Sequence, residues 1–564
     1  MGVRRRWLFS GLVASLTLGL LALAWAVLAP GGWSVWEVMI FACLALNAPW
    51  LALSGATGLA GLAIRLGAAD PTAAVVPGMR AASQARPIAS RTAIAVCIRN
   101  EDMGAVVPPL DALLRELEAA GLARHFAVAL LSDTPAGLAA ETEEAEAAAF
   151  AARHPTGAVR YRRRLLNTGY KAGNVMDFLD HHAAGFDLLL LLDADSRMTA
   201  AAVLCLVRVM EAEPGCALVQ PTIAGAAPES AFQEVFGFGH RHGSRIWATG
   251  QAWWQDRQGP FWGHNALIRI APFREHCRLP PLRDGTAILS HDHVEAARLH
   301  QAGWAVRIVP EDGGSTDEHP PHLIAFLDRD LRWAAGNWQY RMLLRARDLG
   351  RLGRFQMLQA MLHYALAPLW LALLPLAALN AATGGAEGTP RGPLVALLAA
   401  GYILLHLPKL AGYAEALVRP GTAGALPPGG RPALLGRMAR EFAFTLLFEP
   451  IAAVDKTVIM LRLATGRRSG WAAQERRTRL VGMREAVRRF WPHMLAGAAL
   501  LGLGLAASPV GGLLLLPAVL GLLAVVPFCT LTARPLREAT PEPALSFGNE
   551  HALVSRTKHL VSGG

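Results

Sequence analysis

The stretch that decides the fold is residues 188–198, which reads Leu-Leu-Leu-Leu-Leu-Asp-Ala-Asp-Ser-Arg-Met. Five consecutive leucines predict a strand buried on both faces, as in a parallel sheet. Asp193 and Asp195 follow where this strand ends, and residues two apart in extended backbone project from one face. Open α/β sheets bind their ligands at the carboxyl ends of the strands. Mg²⁺ in proteins is typically bound by one or two carboxylates, with water and phosphate oxygens as its other ligands. The pattern indicates an enzyme that handles a nucleotide diphosphate; a strand-ending turn is the alternative.

The residues around this strand alternate between strand and helix patterns. Strands are predicted at 92–98, 126–131, 159–163 and 187–192, and helices at 108–120, 135–152 and 172–183. This alternation predicts a mostly parallel sheet with helices on both faces, covering residues 92–350. Residues 67–91, rich in Ala, Gly and Pro, are expected to form a linker that precedes it.

The two ends of the chain are far more apolar than its middle. The chain is 53% hydrophobic and 17% charged, against about 25% charged for a soluble protein. Residues 1–66 are long enough for two spans, since crossing a bilayer takes ~20 residues. Apolar segments return at 357–379, 393–418, 494–507 and 509–531, which predicts a second membrane region over 351–531. Residues 442–463 carry Glu449, Asp455 and Lys456, and we expect them to form an interfacial helix.

The distribution of arginine predicts the orientation. Arg4, Arg5 and Arg6 precede the first span, and residues 462–489 are densely basic. Because positive residues stay on the cytoplasmic side, the N-terminus, the middle domain and the tail at 532–564 are expected in the cytoplasm. Topology and contact with anionic lipid explain the net charge of +11, so no nucleic-acid partner is predicted. Six cysteines without paired spacing fit reduced thiols.

Polar motifs follow the other predicted strands. They read Arg-Asn-Glu-Asp at 99–102, Ser-Asp-Thr at 132–134 and Asn-Thr-Gly-Tyr-Lys-Ala-Gly-Asn at 167–174. Singly, each is typical of a turn or a helix cap. Together with Asp193 and Asp195, they resemble the family-2 glycosyltransferases, inverting enzymes of the GT-A fold that use nucleotide sugars.

Three later motifs make the resemblance more specific. Trp-Gly-His-Asn-Ala at 262–266, Leu-Ser-His-Asp-His at 289–293 and Arg-Asp-Leu-Arg-Trp at 329–333 match the acceptor, catalytic-base and (Gln/Arg)-x-x-Arg-Trp motifs of membrane-embedded polysaccharide synthases. The Ser-His-Asp form is most similar to the synthases of osmoregulated periplasmic glucans. The resemblance implies an α/β GT-A-type glycosyltransferase domain inserted between α-helical transmembrane segments.

The resemblance also implies roles for individual residues. Asp292 would be the catalytic base, although a helix cap is its structural alternative. Lys171 would approach the diphosphate, with an unpaired surface lysine as its default interpretation. Asp193 and Asp195 would hold Mg²⁺, with Mn²⁺ as the alternative ion. The other residues implied to bind donor or acceptor are Asn100, Glu101, Asp133, Gly263, His264, Asn265, Arg329, Arg332 and Trp333.

The implied activity is transfer of glucose from UDP-glucose to a growing β-glucan, with β-1,2 linkages and export across the bacterial inner membrane. Asn47, His363 and Tyr364 lie within apolar stretches and are candidates to line the export path, with helix packing as an equal alternative. The expected partners are UDP-glucose, the glucan, membrane lipid and periplasmic glucan-processing proteins. A cellulose-like β-1,4-glucan synthase is the nearest alternative, and a non-catalytic glycan-binding or transport protein is a further one.

Overall fold

The structure is a computed structural model. It describes the whole chain except residues 1, 83, 85, 421–425, 467–474, 508 and 537–564. Most of the predicted tail at 532–564 therefore lies outside the described residues.

The middle of the chain forms a seven-stranded sheet and a small three-stranded sheet. The strand order of the large sheet is β3-β2-β1-β4-β8-β6-β9, and that of the small sheet is β5-β10-β7. Only β8 runs antiparallel to its neighbours in the large sheet, which confirms the predicted mostly parallel sheet. The strands are β1 Thr92–Ile98, β2 Phe126–Ser132, β3 Val159–Arg163, β4 Leu188–Asp193, β5 Arg197–Met198, β6 Cys216–Pro221, β7 Ala224–Gly225, β8 Ala266–Arg269, β9 Ala305–Val309 and β10 Ser315–Asp317.

Helices cover both faces of the large sheet, as the alternation predicted. The helices of this region are α3 Pro71–Val75, α4 Met79–Ala82, α5 Met103–Ala119, α6 Leu138–Ala151, α7 Tyr170–His181, α8 Ala200–Ala212, α9 Ala231–Gln255, α10 Ile270–His276, α11 Asp292–Gln301 and α12 Leu323–Trp338. Two of them, α3 and α4, lie within the segment expected to be a linker. Helix α5 begins earlier than predicted, because Asp102 caps it by accepting a hydrogen bond from the Gly104 amide.

The leucines of β4 explain why both faces need cover. Leu188, Leu190 and Leu192 pack into the core on one face, with α5 and α8. Leu189 and Leu191 pack into the core on the other face, with α7, α10 and α11. Strand β4 begins one residue later than predicted and includes Asp193, so the first acidic residue of the motif is held in the sheet.

The ends of the chain form a helical bundle. Its helices are α1 Gly2–Leu28, α2 Val35–Gly67, α13 Arg351–Ala365, α14 Ala367–Ala382, α15 Arg391–Val418, α16 Gly430–Ala464, α17 Met483–Ala507, α18 Pro509–Leu523 and α19 Val525–Thr532. Within the described residues, five helical segments are long and apolar enough to cross a membrane, or six with the pair α18–α19, which is bent by 59°. The chain is thus a multi-pass membrane protein.

Two features of the bundle bear on the sequence predictions. The long helix α16 contains the segment expected to be interfacial and is not among those apolar segments. Its position relative to a bilayer remains a prediction. Helix α9 joins the two regions, because it packs against α2 and α15 of the bundle and also against β9.

Candidate active site

The carboxyl ends of β1, β2 and β4 bring the first predicted motifs together. Strand β1 lies between β2 and β4, with Ile98 opposite Ser132 and Cys97 opposite Asp193. The Asp133 amide donates to the Ile98 carbonyl at 2.9 Å. Asn100 and Glu101 follow β1 at the same edge. The parallel register therefore brings these motifs together at one edge of the sheet, where ligands of open α/β sheets bind.

An arginine holds the Asp133 carboxylate. Arg164 donates from Nε and Nη2 to the two oxygens of Asp133, each at 2.7 Å, and both side chains are buried. It also donates to the carbonyls of Thr168 and Tyr170 at 3.0 Å. Asn167 donates to the Asp133 carbonyl at 2.6 Å. Arg164 therefore fixes the 164–170 loop against the end of β2.

That loop requires unusual backbone at its turn into α7. Gly169 and Tyr170 have positive φ angles of 73° and 52°. A Cβ on Gly173 would lie 2.0 Å from the Thr168 carbonyl oxygen, so only glycine fits there. The turn sets the start of α7 and thereby the direction of Lys171.

Lys171 connects the donor motif to the acceptor motif. Its ammonium group donates to Asp193 Oδ1, and to the Gly263 carbonyl at 2.8 Å. Burial alone would raise the pKa of Asp193, but Lys171 and then His264 outweigh it and lower that pKa to about 2. Lys171 is therefore not an unpaired surface lysine: its charge holds Asp193 ionised.

Asp195 lies in a more acidic environment. Burial, and then the charge of Asp317, raise the pKa of Asp195 to about 8. Arg476, from the segment between α16 and α17, provides a cation, with Nε 3.1 Å from Asp195 Oδ2 and Nη1 donating to Glu101 at 2.6 Å. Arg476 thus connects the segment after α16 to the motif that follows β1, at Glu101, and to the motif that follows β4, at Asp195.

The predicted base stands at the start of a helix. Asp292 is the first residue of α11, and a Cβ on Gly263 would lie 3.7 Å from its carboxylate. Burial opposes ionisation, but the neighbouring His293, with Nδ1 3.7 Å from Oδ2, and the charge of His291 lower the pKa of Asp292. His291 itself pairs with the buried Glu295 at 2.9 Å. Asp292 is therefore in the form that a base requires.

The Gly-His-Asn motif at 263–265 contacts strand β10. Asn265, whose φ is 48°, donates to Ser315 Oγ at 2.9 Å and to the Thr316 carbonyl at 3.3 Å. His264 Nε2 lies 3.8 Å from Asp317 Oδ2. These contacts place the acceptor motif between β4, which carries Asp193, and β10.

The last predicted motif lies on α12. The guanidinium carbon of Arg329 lies 4.5 Å from the centroid of the Trp333 ring, and 46% of the Trp333 surface is exposed. Arg332 is buried, and its pKa is lowered by burial against the opposing charge of Asp328. An open aromatic face beside a fixed cation is suited to a sugar ring.

Sequence reasoning missed three residues of this site: Arg164, Asp317 and Arg476. Arg164 lies in an arginine run three residues before a motif that was singled out, and that proximity was the available signal. Asp317 and Arg476 reach the site only through long-range folding. Arg476 lies in the basic segment 462–489, which was interpreted as a signal for orientation in the membrane.

The fold and the motif set define the class as membrane-embedded family-2 glycosyltransferases. The family model described as glycosyl transferase family group 2 matches residues 188–409. Two relatives are both named glucans biosynthesis glucosyltransferase H. The one from Xanthomonas campestris pv. campestris (strain B100) is 30% identical over 94% of this chain and 85% of its own length. The one from Bradyrhizobium diazoefficiens is 34% identical over 99% of this chain and 77% of its own length.

The chain belongs to the glucans biosynthesis glucosyltransferase H family, and it is a transferase. Among solved structures, it resembles the mannosyltransferase PcManGT from Pyrobaculum calidifontis in complex with GDP-Man and Mn²⁺. The identity is 16% and the TM-score 0.38, over 65% of this chain and 99% of the other.

Proposed function

We propose that the protein is an inverting glucosyltransferase of the bacterial inner membrane that polymerises glucose from UDP-glucose into a β-1,2-glucan and exports it. The observation that carries the proposal is the position of Asp292. Its carboxylate lies beside Gly263, whose carbonyl accepts a hydrogen bond from Lys171, and Lys171 also binds Asp193. The proposed base and the proposed donor-binding carboxylate are thus linked through Lys171 and Gly263. The name of the relatives, glucans biosynthesis glucosyltransferase H, supports a glucan as the product.

The donor is proposed to bind along the carboxyl ends of β1, β2 and β4. Asn100, Glu101 and Asp133 would hold the uridine, since Asp133 keeps acceptor capacity beside its two bonds from Arg164. Lys171 and Arg332 would bind the diphosphate, as a point charge and a planar fork respectively.

The same edge of the sheet fits a divalent cation. Burial and the charge of Asp317 raise the pKa of Asp195 although Arg476 lies 3.1 Å from it, so the acidic pair can take further positive charge. Among the described residues, no group of three or more His, Cys, Asp or Glu side chains has metal-binding geometry. Asp195 and Asp193 would therefore hold Mg²⁺, or Mn²⁺, together with water and phosphate oxygens. When bound, the ion supplies Lewis-acid stabilisation of the departing diphosphate.

The transfer step follows from the position of the base. Asp292 accepts the proton of the acceptor hydroxyl while that oxygen forms a bond to the anomeric carbon of glucose. The bond from the anomeric carbon to the diphosphate breaks, and UDP leaves with the electron pair. Attack from the face opposite the leaving group inverts the configuration, which yields a β-linkage from an α-linked donor. Trp333 and His264 would hold the acceptor sugar in line.

The export path is proposed to begin at α12. Asp330, one residue after Arg329, lies 3.6 Å from Lys456 on α16, and Lys456 lies 3.0 Å from the exposed His363 on α13. Polar groups within apolar bundles are costly and mark polar pathways. Asn47 differs, because it is fully buried and donates to the Cys43 carbonyl, as a packing residue would.

The orientation completes the proposal. Arginine placement supports a cytoplasmic location for the N-terminus and the catalytic domain, where nucleotide sugars are available, and a location outside the cytoplasm for the loop near residue 385. The partners would then be UDP-glucose, the glucan, lipid and periplasmic glucan-processing proteins.

The test uses the purified full-length protein in lipid vesicles with UDP-glucose and Mg²⁺. UDP release should accompany polymer formation, and methylation analysis should find mainly 2-linked glucose. Mainly 4-linked glucose would make the product cellulose-like and refute the proposed linkage. UDP-galactose and GDP-mannose serve as donor controls. Absence of UDP release from UDP-glucose would refute the proposed donor.

A further inference from the structure

Three buried charged residues and one partly buried glutamate join the helical bundle to the catalytic domain. They are Arg65 at the end of α2, Arg245 on α9, Glu311 just after β9, and Glu415 on α15. Arg65 Nε lies 2.5 Å from Glu415, and Arg65 Nη1 lies 3.4 Å from Glu311. Arg245 Nη2 lies 3.3 Å from Glu311. We call these four residues the junction cluster; it balances two positive charges against two negative ones.

The junction cluster lies where the backbones of α2 and α9 are in direct contact. A Cβ on Gly61 would lie 2.1 Å from the Ile246 carbonyl oxygen, and one on Gly250 would lie 2.2 Å from that of Thr57. Arg419 donates to the carbonyls of Arg65 and Leu66, which close α2. The arginines of the cluster therefore project from helices that have little freedom to shift.

Glu311 begins the loop that supports the active site. Its neighbour Asp312 pairs with Arg241 of α9 at 3.1 Å. Thr199 donates its amide to the Gly314 carbonyl at 3.2 Å and its hydroxyl to the Gly313 carbonyl at 3.3 Å. Residues 311–317 are therefore hydrogen-bonded to Thr199, in the segment that directly follows Asp193 and Asp195.

The same loop also supports the acceptor motif. Ser315 and Thr316 accept hydrogen bonds from Asn265, and Asp317 faces His264. Strand β10 pairs with β5, placing Thr316 opposite Arg197. Residues 311–317 thus contact both the segment that follows Asp195 and the acceptor motif at His264. The junction cluster connects these residues to the membrane helices.

We propose that the junction cluster positions the donor and acceptor motifs for transfer, so that Glu311 is a positioning residue controlled by membrane helices α2 and α15. The inference rests on the proposed function, since it assigns a role within that site. A buried ion pair is weak evidence for a role in stability, because apolar side chains of similar volume often stabilise a core equally well. The proposed uridine-binding residues, which follow β1 and β2, lie outside the supported loop.

The test compares Glu311→Gln with Glu213→Gln in the full-length protein. Glu213 is a matched control: it pairs with Arg307 of β9 at 2.9 Å and is as buried as Glu311, with 15% against 16% of the side chain exposed. Glu311→Gln should lower kcat for transfer by about 10- to 100-fold, as misplacement by an ångström does. UDP affinity measured in chelator, which reports the uridine pocket, should stay within about twofold. Glu213→Gln should lower Tm by a similar amount with kcat unchanged.

A second variant covers the case in which Glu311→Gln does not fold. Thr72 donates to Glu311 at 2.9 Å, so Thr72→Val removes one hydrogen bond at nearly constant volume. It should lower kcat about threefold to tenfold, with UDP affinity in chelator retained. A folded Glu311→Gln or Thr72→Val variant with unchanged kcat would overturn the inference. Equal loss of kcat in Glu213→Gln would also overturn it, because a general loss of stability would then explain the result. A wild-type protein that releases no UDP would instead refute the proposed function.

Discussion

Replacing Arg164 tests how the donor site is built. Arg164→Gln removes two charge-assisted bonds of 2.7 Å to Asp133 and leaves a buried carboxylate without its cation. It also releases the carbonyls of Thr168 and Tyr170. Breaking one partner of a buried ion pair costs about 3–5 kcal/mol. For a domain of this size, that is a fall in Tm of roughly 10 °C.

A double-mutant cycle separates the pair from general damage. In Asp133→Asn/Arg164→Gln no charge is left unpaired, so the double variant should be more stable than the sum of the two single losses by about 2 kcal/mol. Arg160→Gln, on the exposed side of β3, is the control and should shift Tm by about 2 °C. UDP affinity in chelator should fall at least tenfold in Arg164→Gln, because the 164–170 loop loses its anchor. Tm and UDP affinity both at wild-type values would refute this account.

The remaining predictions concern the metal, pH and topology. Asp195→Asn should abolish Mg²⁺-dependent UDP release, and excess chelator should do the same to wild type; full activity in either case would contradict the metal assignment. Burial lowers the pKa of His300 to about 4 in the folded protein, against about 6.5 in the unfolded chain. As the pH falls, the unfolded chain therefore binds a proton at His300 first, and the free energy of unfolding decreases by about 3 kcal/mol between pH 6.5 and pH 4. Tm measured from pH 7 to pH 5 should therefore fall more steeply in wild type than in His300→Gln; parallel curves would contradict this. A reporter active only outside the cytoplasm should work when fused near Gly385 and fail near Asp328 or Gly466, and the reverse pattern would overturn the orientation.

Strands β1 to β4 of the large sheet were predictable because their signals are local. The Leu188–Asp193 strand is apolar at every position before its last residue, and each leucine meets a core on one face or the other. Strands β6, β8 and β9 of the large sheet and the three strands of the small sheet were not predicted. Strand β8, for example, has only four residues, Ala266–Arg269, which carry little pattern of their own. Pairing with β4 and β6 decides its direction.

The candidate site divides in the same way. Asp193, Lys171 and Asp292 lie in short motifs at element ends, and the structure brings their surroundings together. Arg476 lies 375 residues from its partner Glu101, and its sequence neighbours give no sign of that contact. Asp317 reaches Asp195 only because β10 pairs with β5. Contacts made by tertiary folding alone are those that sequence periodicity does not encode.

The central claim is that glycosyl transfer occurs at Asp292, and Asp292→Asn tests it most directly. Asparagine keeps the shape and the position at the start of α11 but accepts no proton at neutral pH. UDP-glucose affinity should stay within about threefold of wild type, while the rate of UDP release with acceptor should fall by about 10²–10⁴-fold. A rate within about tenfold of wild type, at unchanged affinity, would contradict the claim.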